Sequence, residues 1–479
     1  MDTNIILQGN ALEILRTLPD ESIHCVVTSP PYWALRDYKT KPQIWDADIS
    51  CEHEWGEKIV KKGLTGGRNS YLQSFQESSK DADEKLKGYV PDTESLFCIK
   101  CKAWKGNLGL EPTFDLFIKH LCDIFDEIKR VLRFDGSVYV NMGDSYSGNS
   151  GKRNGWTDNK MGFDKEEAID KGVCLTNKTK LEYSLPQKCL CQIPSRFAIE
   201  MTNRGWILRN KIIWHKPACM PSSASDRFTI DFEEIFFFVK NKSYYFEQQY
   251  EPMKRQWSDS IGGSLGGYGN MWHADSQIIQ GGRKDGKGKP SLPNPLGRNK
   301  RCVWSINTKP FKEAHFATFP ESLIESPIKA SCPDFICKKC GITRTKIYEN
   351  PFKFEWNKEK EYVAKYNSKY VEESIIHNQL GSLGAYRNFL RESGYPEETV
   401  RIFKGYSDCG CNAGFELGIV LDPFMGAGTT ALVALKLNRK FLGIELSPEY
   451  IKIAEARIKP FLVQTKLPNL NVQEAGTNE

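Results

Sequence analysis

Along the chain, short apolar runs alternate with amphipathic stretches of helical period, the pattern of strands alternating with helices. Residues 5–7 are apolar and lead through Gly9-Asn10 into a helix whose apolar face is Leu12, Leu15 and Leu18; Pro19-Asp20 ends it. Residues 22–29 read as a buried strand. The strongest helical pattern covers 113–132, where Phe114, Phe117, Leu121, Phe125, Ile128 and Leu132 share one face. A turn is expected at 134–137, then a strand over 138–146 whose polar exit carries Asp144, placed either to face a ligand or to cap a turn. A helix over 194–204 and strands over 206–217 and 231–239 follow, then a short strand at 301–306 and a loop running into a helix that ends near 328. Last come a buried strand at 418–421, a helix opened by Thr429, an apolar run ending in Glu445, and an amphipathic helix over 448–462.

Two long stretches break this rhythm. From 33 to 110 the periodicity fades into charged and glycine-rich segments that read as loop, with Cys51, His53, Cys98 and Cys101 inside them. Two paired-ligand knuckles of this kind match a tetrahedral Cys3His zinc site, and a segment this polar needs such a staple to order it. Cys337, Cys340, Cys409 and Cys411 could close a second, ribbon-type site, with Cys332 a spare ligand. Between those pairs, 358–401 is charged and helical by composition. Residues 147–180 read as a further loop. Residues 247–301 are the most basic and least periodic, with Arg283, Lys284, Arg298 and Arg301 free to follow phosphates.

Composition narrows the setting. At 479 residues, one large domain with insertions or two domains are both expected. A net charge of +6, with 66 Lys+Arg and 12% aromatic residues, suits a nucleic-acid partner more than an acidic solute. No apolar run has the length of a membrane span and no secretion signal is visible. The 15 cysteines then point to a reducing compartment, so the expectation is a soluble, cytoplasmic protein of a prokaryote or phage.

Two loops carry the chemistry. In the first, Asp422-Pro423-Phe424 leaves a buried strand, and Gly426 and Gly428 allow a tight turn and close approach of a ligand before Thr429 opens the helix. Glu445, at the end of the next apolar run, is placed to accept hydrogen bonds from a ribose. This is the layout of a nucleoside-binding βαβ unit, although the glycines do not match the dinucleotide fingerprint and no Walker lysine follows. The second loop is Ser29-Pro30-Pro31-Tyr32, at the end of the strand over 22–29.

Asp-Pro-Phe-x-Gly-x-Gly-Thr-Thr together with Thr-Ser-Pro-Pro-Tyr-Trp resembles the amino-methyltransferases of DNA that use S-adenosylmethionine (AdoMet). The catalytic motif precedes the cofactor motif, as in the circularly permuted β group of that family. The resemblance implies a doubly wound, Rossmann-like α/β sheet, circularly permuted, here with two zinc-stapled insertions. It divides the chain into methyltransferase segments at 1–50, 111–246 and 302–331, an AdoMet-binding part at 413–463, and a disordered tail at 464–479. The insertions span 51–110 and 332–412, and a target-recognition region spans 247–301. It places Asn10 beside the adenine and Phe316, Thr318 and Phe319 near the methionine end, the aromatics being equally suited to core. Lys216, Asp226 and Arg227 fall near the target strand or flipped base.

The implied reaction is direct methyl transfer to an exocyclic amine of a base extruded from double-stranded DNA. Such an amine is conjugated with its ring, so acceptors aimed at its N–H groups must restore the lone pair: Ser29 Oγ and the proline-held Pro30 carbonyl, with Tyr32 offering a stacking face. No Pro-Cys dipeptide, the covalent nucleophile of carbon-5 enzymes, occurs in the chain. Serine before Pro-Pro-Tyr favours cytosine N4 over adenine N6. A cognate restriction endonuclease is a candidate partner. Two rivals stay open: an inactive, zinc-containing DNA-binding module, and methylation of a protein glutamine.

Overall fold

The computed structural model describes residues 1–35, 38, 40–56, 59–61, 93–147, 185–186, 188–222, 224–252, 298–308, 318–349, 352–356, 362–366 and 402–464. The chain divides into two compact units, one of Met1–Tyr245, Cys302–Cys332 and Leu417–Glu479, the other of Phe246–Arg301 and Pro333–Glu416.

The first unit is built on an 8-stranded sheet. Its strands are β1 (Ile5–Gln8), β2 (Ile23–Thr28), β3 (Leu132–Met142), β4 (Ile207–His215), β5 (Phe232–Val239), β6 (Val303–Ser305), β7 (Ile419–Asp422) and β8 (Lys440–Glu445). Their spatial order is β1-β8-β7-β2-β3-β5-β4-β6. All run parallel except β5, which is antiparallel to both neighbours. Strands from the two ends of the chain therefore interleave at the centre. Every residue of β2 and β7 is buried, which is why both read as continuous apolar runs.

Alternation along β2 sends Val26 to one face and Cys25 and Val27 to the other. On the Val26 face pack α1 (Ala11–Thr17), α2 (Phe114–Val131) and α3 (Ile193–Asn203), through Leu15, Phe117, Leu121, Phe125, Ile128 and Phe197. On the opposite face pack α4 (Glu321–Ser331), α5 (Thr429–Lys436) and α6 (Pro448–Gln464), through Leu323, Ile328, Leu432, Val433 and Ile458. The sheet is thus covered on both sides, the doubly wound arrangement.

Three expectations need correction. The turn expected at 134–137 lies inside β3: Ile23 pairs with Leu132 and Cys25 with Ser137, so the extra residues are absorbed as a bulge. Leu132 and Ser137 are buried on either side and hold the strand together. A Cβ on Gly136 would lie 3.0 Å from the His24 carbonyl oxygen, so glycine is needed where the backbones close up. Second, the insertion after Trp33 carries a 4-stranded antiparallel sheet in the order Gln43–Trp45, Trp104–Gly106, Thr93–Phe97, Ile59–Lys61. Strands this short leave no readable period. Third, within the stretch expected to be helical, Tyr362–Tyr366 is a strand paired with Phe352–Trp356; residues 367–401 lie outside the described residues.

The second unit contains further antiparallel pairs: Tyr250–Glu251 with Arg298–Asn299, Ile336–Cys337 with Phe415–Glu416, and Lys346–Glu349 with Ile402–Tyr406. Among the described residues, no helix is long and apolar enough to cross a membrane. The loop expected over 147–180 and the tail fall almost wholly outside the described residues.

Candidate active site

The carboxyl ends of β1, β8, β7, β2 and β3 form one rim of the sheet. In-register pairing puts Gln8 beside Glu445 and Asp422 beside Gly443, so the loops that follow these strands converge.

After β7 the backbone turns through Gly426 (φ 51°) and Gly428 (φ 77°), left-handed conformations that favour glycine. A Cβ on Gly428 would meet the Ala454 Cβ of α6 at 2.8 Å, so this glycine also lets loop and helix approach. At Gly426 a Cβ would meet only the Phe424 carbonyl oxygen, at 3.9 Å, and would otherwise occupy open space at the rim. Gly428 is the N-cap of α5 and supplies no side-chain acceptor to the first amides of that helix.

Asp422 differs from expectation. Its carboxylate is 1% exposed and engaged by the protein: Oδ1 accepts from Thr28 Oγ1 (2.6 Å) and the Phe424 amide (3.0 Å), Oδ2 from Thr430 Oγ1 (2.7 Å). Rather than facing a cofactor, it ties the catalytic strand β2 to the glycine loop and to α5. Burial pushes its pKa up to about 6 despite those three donors. Glu445 sits more openly. Its oxygens accept from the amides of Gly426 and Ser447, both at 2.8 Å, and each keeps a second lone pair for a ligand hydroxyl. Burial raises its pKa as well. Asn10 lies on the neighbouring loop, where its Oδ1 accepts from the amides of Leu12 (2.8 Å) and Glu13 (3.4 Å), capping α1. Its amide donates to Gln43 Oε1 at 3.0 Å. The charge-free residue at this position is a helix cap first.

The Ser29–Tyr32 loop follows β2, with Pro30 buried and Ser29 half-buried. Ser29 Oγ donates to Tyr32 Oη (3.3 Å), and Tyr32 Oη donates to Glu233 Oε2 (2.7 Å). Asn141 Nδ2 donates to both Tyr32 Oη (2.8 Å) and Glu233 Oε2 (2.7 Å). Lys216 forms a short ion pair with the other oxygen of Glu233 and lies 4.4 Å from the Trp214 ring centre. The sequence reading gave Tyr32 a stacking role and Lys216 a place by the target strand; here both are bound to a carboxylate that it overlooked. The Tyr32 ring lies against Gly143, where a Cβ would approach its Cε2 to 2.6 Å. Burial, and then Glu233, hold the Tyr32 hydroxyl well above the ordinary phenol range.

A second support comes from the insertion. The Ala34 amide donates to the Gly109 carbonyl (2.8 Å) and Trp33 Nε1 to the Glu111 carbonyl (3.0 Å). Glu111, fully buried, accepts from the Gly109 amide (2.8 Å) and faces His120 Nδ1 (3.1 Å). The His120 ring lies between Trp45 and Trp104, with centroids 4.8 and 5.4 Å away. Asp144, by contrast, accepts from the amides of Ser145 and Ile193, capping a turn and the start of α3.

The remaining candidates divide. Thr318 is half-buried ahead of α4, and Phe319 packs into the core beneath that helix. Arg227 lies over the Tyr146 ring at 3.5 Å, and Asp226 pairs with Lys188 at 2.7 Å. In the second unit, Arg298 and Arg301 both bind Glu251, at 2.8 and 2.6 Å. Phe316, Arg283 and Lys284 lie outside the described residues.

Both cysteine quartets assemble, each with its ligand atoms all within 4.8 Å of one another. In the first unit Cys51 Sγ is 3.8 Å from Cys98 Sγ, and Cys101 Sγ is 3.4 Å from His53 Nδ1. Tetrahedral zinc with Zn–S near 2.3 Å requires an S–S edge of about 3.8 Å and a slightly shorter S–N edge, so these groups fit such an ion and are too far apart for a disulfide. In the second unit, Cys337, Cys340, Cys409 and Cys411 form an all-thiol set. There the amides of Cys340 and Lys339 draw the Cys337 thiol down to about 6, the thiolate character a metal ligand needs.

Comparison with known proteins agrees with this geometry. The chain is 27% identical over 454 residues to the type II methyltransferase M.XycI of Xanthomonas campestris pv. cyanopsidis, covering 95% of this chain and 87% of that one. The same figures hold for the type II methyltransferase M.Cfr9I of Citrobacter freundii. Among solved structures, the cytosine-N4-specific PvuII DNA methyltransferase is 14% identical with a TM-score of 0.41, over 95% of this chain and 86% of that one, a likeness too distant to carry an argument. Residues 23–335 and 414–456 match the family model of the N6 and N4 DNA methylases, spanning β2 to α4 and β7 to α6, and the chain belongs to that family.

Proposed function

We propose that the protein transfers a methyl group from AdoMet to the N4 amine of cytosine in double-stranded DNA. Membership in the family makes the reaction methylation of a DNA amino group. The observation carrying the choice of cytosine is Ser29, in a loop position where the family's adenine enzymes more often hold Asp or Asn. Bound AdoMet supplies an electrophilic methyl on a sulfonium. The rim suits it: open space above Gly426, uncapped amides at the start of α5, and spare lone pairs on Glu445 for ribose hydroxyls.

On the other side of the site, Ser29 Oγ and the Pro30 carbonyl accept from the amine, favouring a more tetrahedral nitrogen as the new bond forms. Asp422 fixes the distance between these halves through Thr28 and Thr430. Basic residues of the 247–301 region, with Arg227, contact the DNA backbone. Each cysteine quartet holds one structural zinc. The protein works in the cytoplasm of a prokaryote or phage-infected cell, where a cognate restriction endonuclease would be its partner.

The test is incubation of purified protein with tritiated AdoMet and unmodified genomic DNA, followed by digestion to nucleosides. Label in N4-methylcytosine is expected. Label in N6-methyladenine would overturn the base assignment and keep the mechanism, and label on protein alone would overturn both.

A further inference from the structure

Glu233 is the buried end of a hydrogen-bond chain that begins at the base-binding loop, and each donor in that chain points towards it. Ser29 Oγ donates to Tyr32 Oη, and Tyr32 Oη donates to Glu233 Oε2. Asn141 donates to both of the last two atoms and so holds them in place. Lys216 occupies the second oxygen, keeping the carboxylate ionised and ready as an acceptor. Glu233 and Lys216 remain 18% and 20% exposed, a route by which a proton leaves for solvent.

Nothing in the methyl transfer itself accounts for such a chain. A stacking tyrosine needs no carboxylate, and burying Glu233 with a lysine and an asparagine is costly unless the group is used. The reaction does, however, have a proton to dispose of. The amine begins with two N–H bonds and ends with one, and a methylated, conjugated ammonium is so acidic that an ordinary carboxylate can take its proton.

We propose that Ser29, Tyr32 and Glu233 form a proton relay in which Glu233 is the terminal acceptor for the proton released by the methylated amine. As the N–CH3 bond forms and the S–CH3 bond breaks, its electron pair staying on sulfur, one N–H proton passes to Ser29 Oγ. The serine proton passes to Tyr32 Oη, and the tyrosine proton to Glu233 Oε2. The base leaves neutral, Ser29 and Tyr32 recover their hydrogens, and Glu233 returns its proton to solvent. Burial and Glu233 hold the Tyr32 phenol protonated, so it passes a proton on without resting as an anion. The relay rests on the DNA-amine reading above but serves either base.

The experiment is single-turnover methylation of unmodified genomic DNA with tritiated AdoMet, by wild type, Glu233→Gln, Tyr32→Phe and the double variant, in light and heavy water. Tyr32→Phe keeps the ring against Gly143 and guards against a Glu233→Gln variant that fails to fold. Each single variant should lose about 100-fold in rate, the scale of general-base catalysis, and the double variant should lose no more than either. Wild type should slow in heavy water, with a curved dependence on deuterium fraction that disappears in Tyr32→Phe. A Tyr32→Phe enzyme near the wild-type rate, losses that multiply, or an isotope effect unchanged by the variants would overturn the relay while leaving the activity intact. No methyl on DNA from wild type would sink the functional reading and the relay with it.

Discussion

Thr28→Val removes one hydroxyl and keeps the shape of the side chain. Thr28 Oγ1 donates to Asp422 Oδ1 at 2.6 Å, and both residues are 1% exposed, so water cannot replace the lost donor. A hydrogen bond to a charged group contributes about 1.5–3 kcal/mol, a neutral one about 1 kcal/mol. Which applies depends on pH, because burial lifts the folded pKa of Asp422 to about 6 from 3.8. A raised carboxyl pKa means that the folded state holds its proton more tightly than the unfolded state. The associated stability is present below about pH 4 and lost as pH rises through about 6. In Thr28→Val the folded pKa climbs further, and the loss extends to higher pH. The substitution should therefore cost about 2 kcal/mol near pH 7.5, where Asp422 is ionised, and about 1 kcal/mol near pH 5. For large domains that is a fall in Tm of about 4–8 °C at the higher pH and about half of that at the lower. Scanning calorimetry at both pH values reads it directly. A fall below about 1 °C near pH 7.5, or equal falls at the two pH values, would refute the argument that Asp422 is a buried, ionised tie.

The other expectations concern the glycine loop and the cysteines. Gly428→Ala adds a Cβ 2.8 Å from that of Ala454 at a φ of 77°, so it should cost about 2–4 kcal/mol and weaken AdoMet binding in calorimetric titration; unchanged affinity and Tm would contradict the close approach. Elemental analysis should find two zinc ions per chain in the purified protein, and Cys98→Ser and Cys409→Ser should each lower zinc affinity at one site only. Full metal retention in both variants under mild chelation, or zinc-free wild type of undiminished stability, would count against the metal reading.

Chemistry that needs contiguous residues was legible in the sequence. Gly426 and Gly428 must follow the strand at once to turn the backbone, and the two prolines must adjoin Ser29 to restrain it, so both loops stand out as strings. The cysteine pairs were visible for the same reason, but only the fold brings Cys51 to within 3.8 Å of Cys98. Glu233 was not legible. It opens β5, and an acid at the start of a strand lies on the far rim in an all-parallel sheet; only because β5 runs backwards does it reach Tyr32. Asp422 was placed correctly and misjudged in role, because its partners Thr28 and Thr430 lie 394 and 8 residues away and nothing local shows that they use up its lone pairs. The Asp-Gly pair in 134–137 signals a turn by its local chemistry, yet the buried residues on either side keep it inside a bulged strand.

The interleaving of β7 and β8 with β1 and β2 has a consequence for how the protein comes into being. β8 is the neighbour of β1, and β7 separates β8 from β2, so the amino-terminal strands wait for residues 419–445 before the sheet can close. At about 5–20 residues per second, a ribosome needs on the order of 20–90 s to reach that point. During that interval β1 has no neighbour in the sheet and the Asp422 tie does not exist. The nascent chain is therefore silent towards DNA until both halves of the site are present, and activity arrives in a single step near the end of synthesis. The same delay leaves apolar strand edges open for tens of seconds, which makes the unfinished chain a natural client for chaperones.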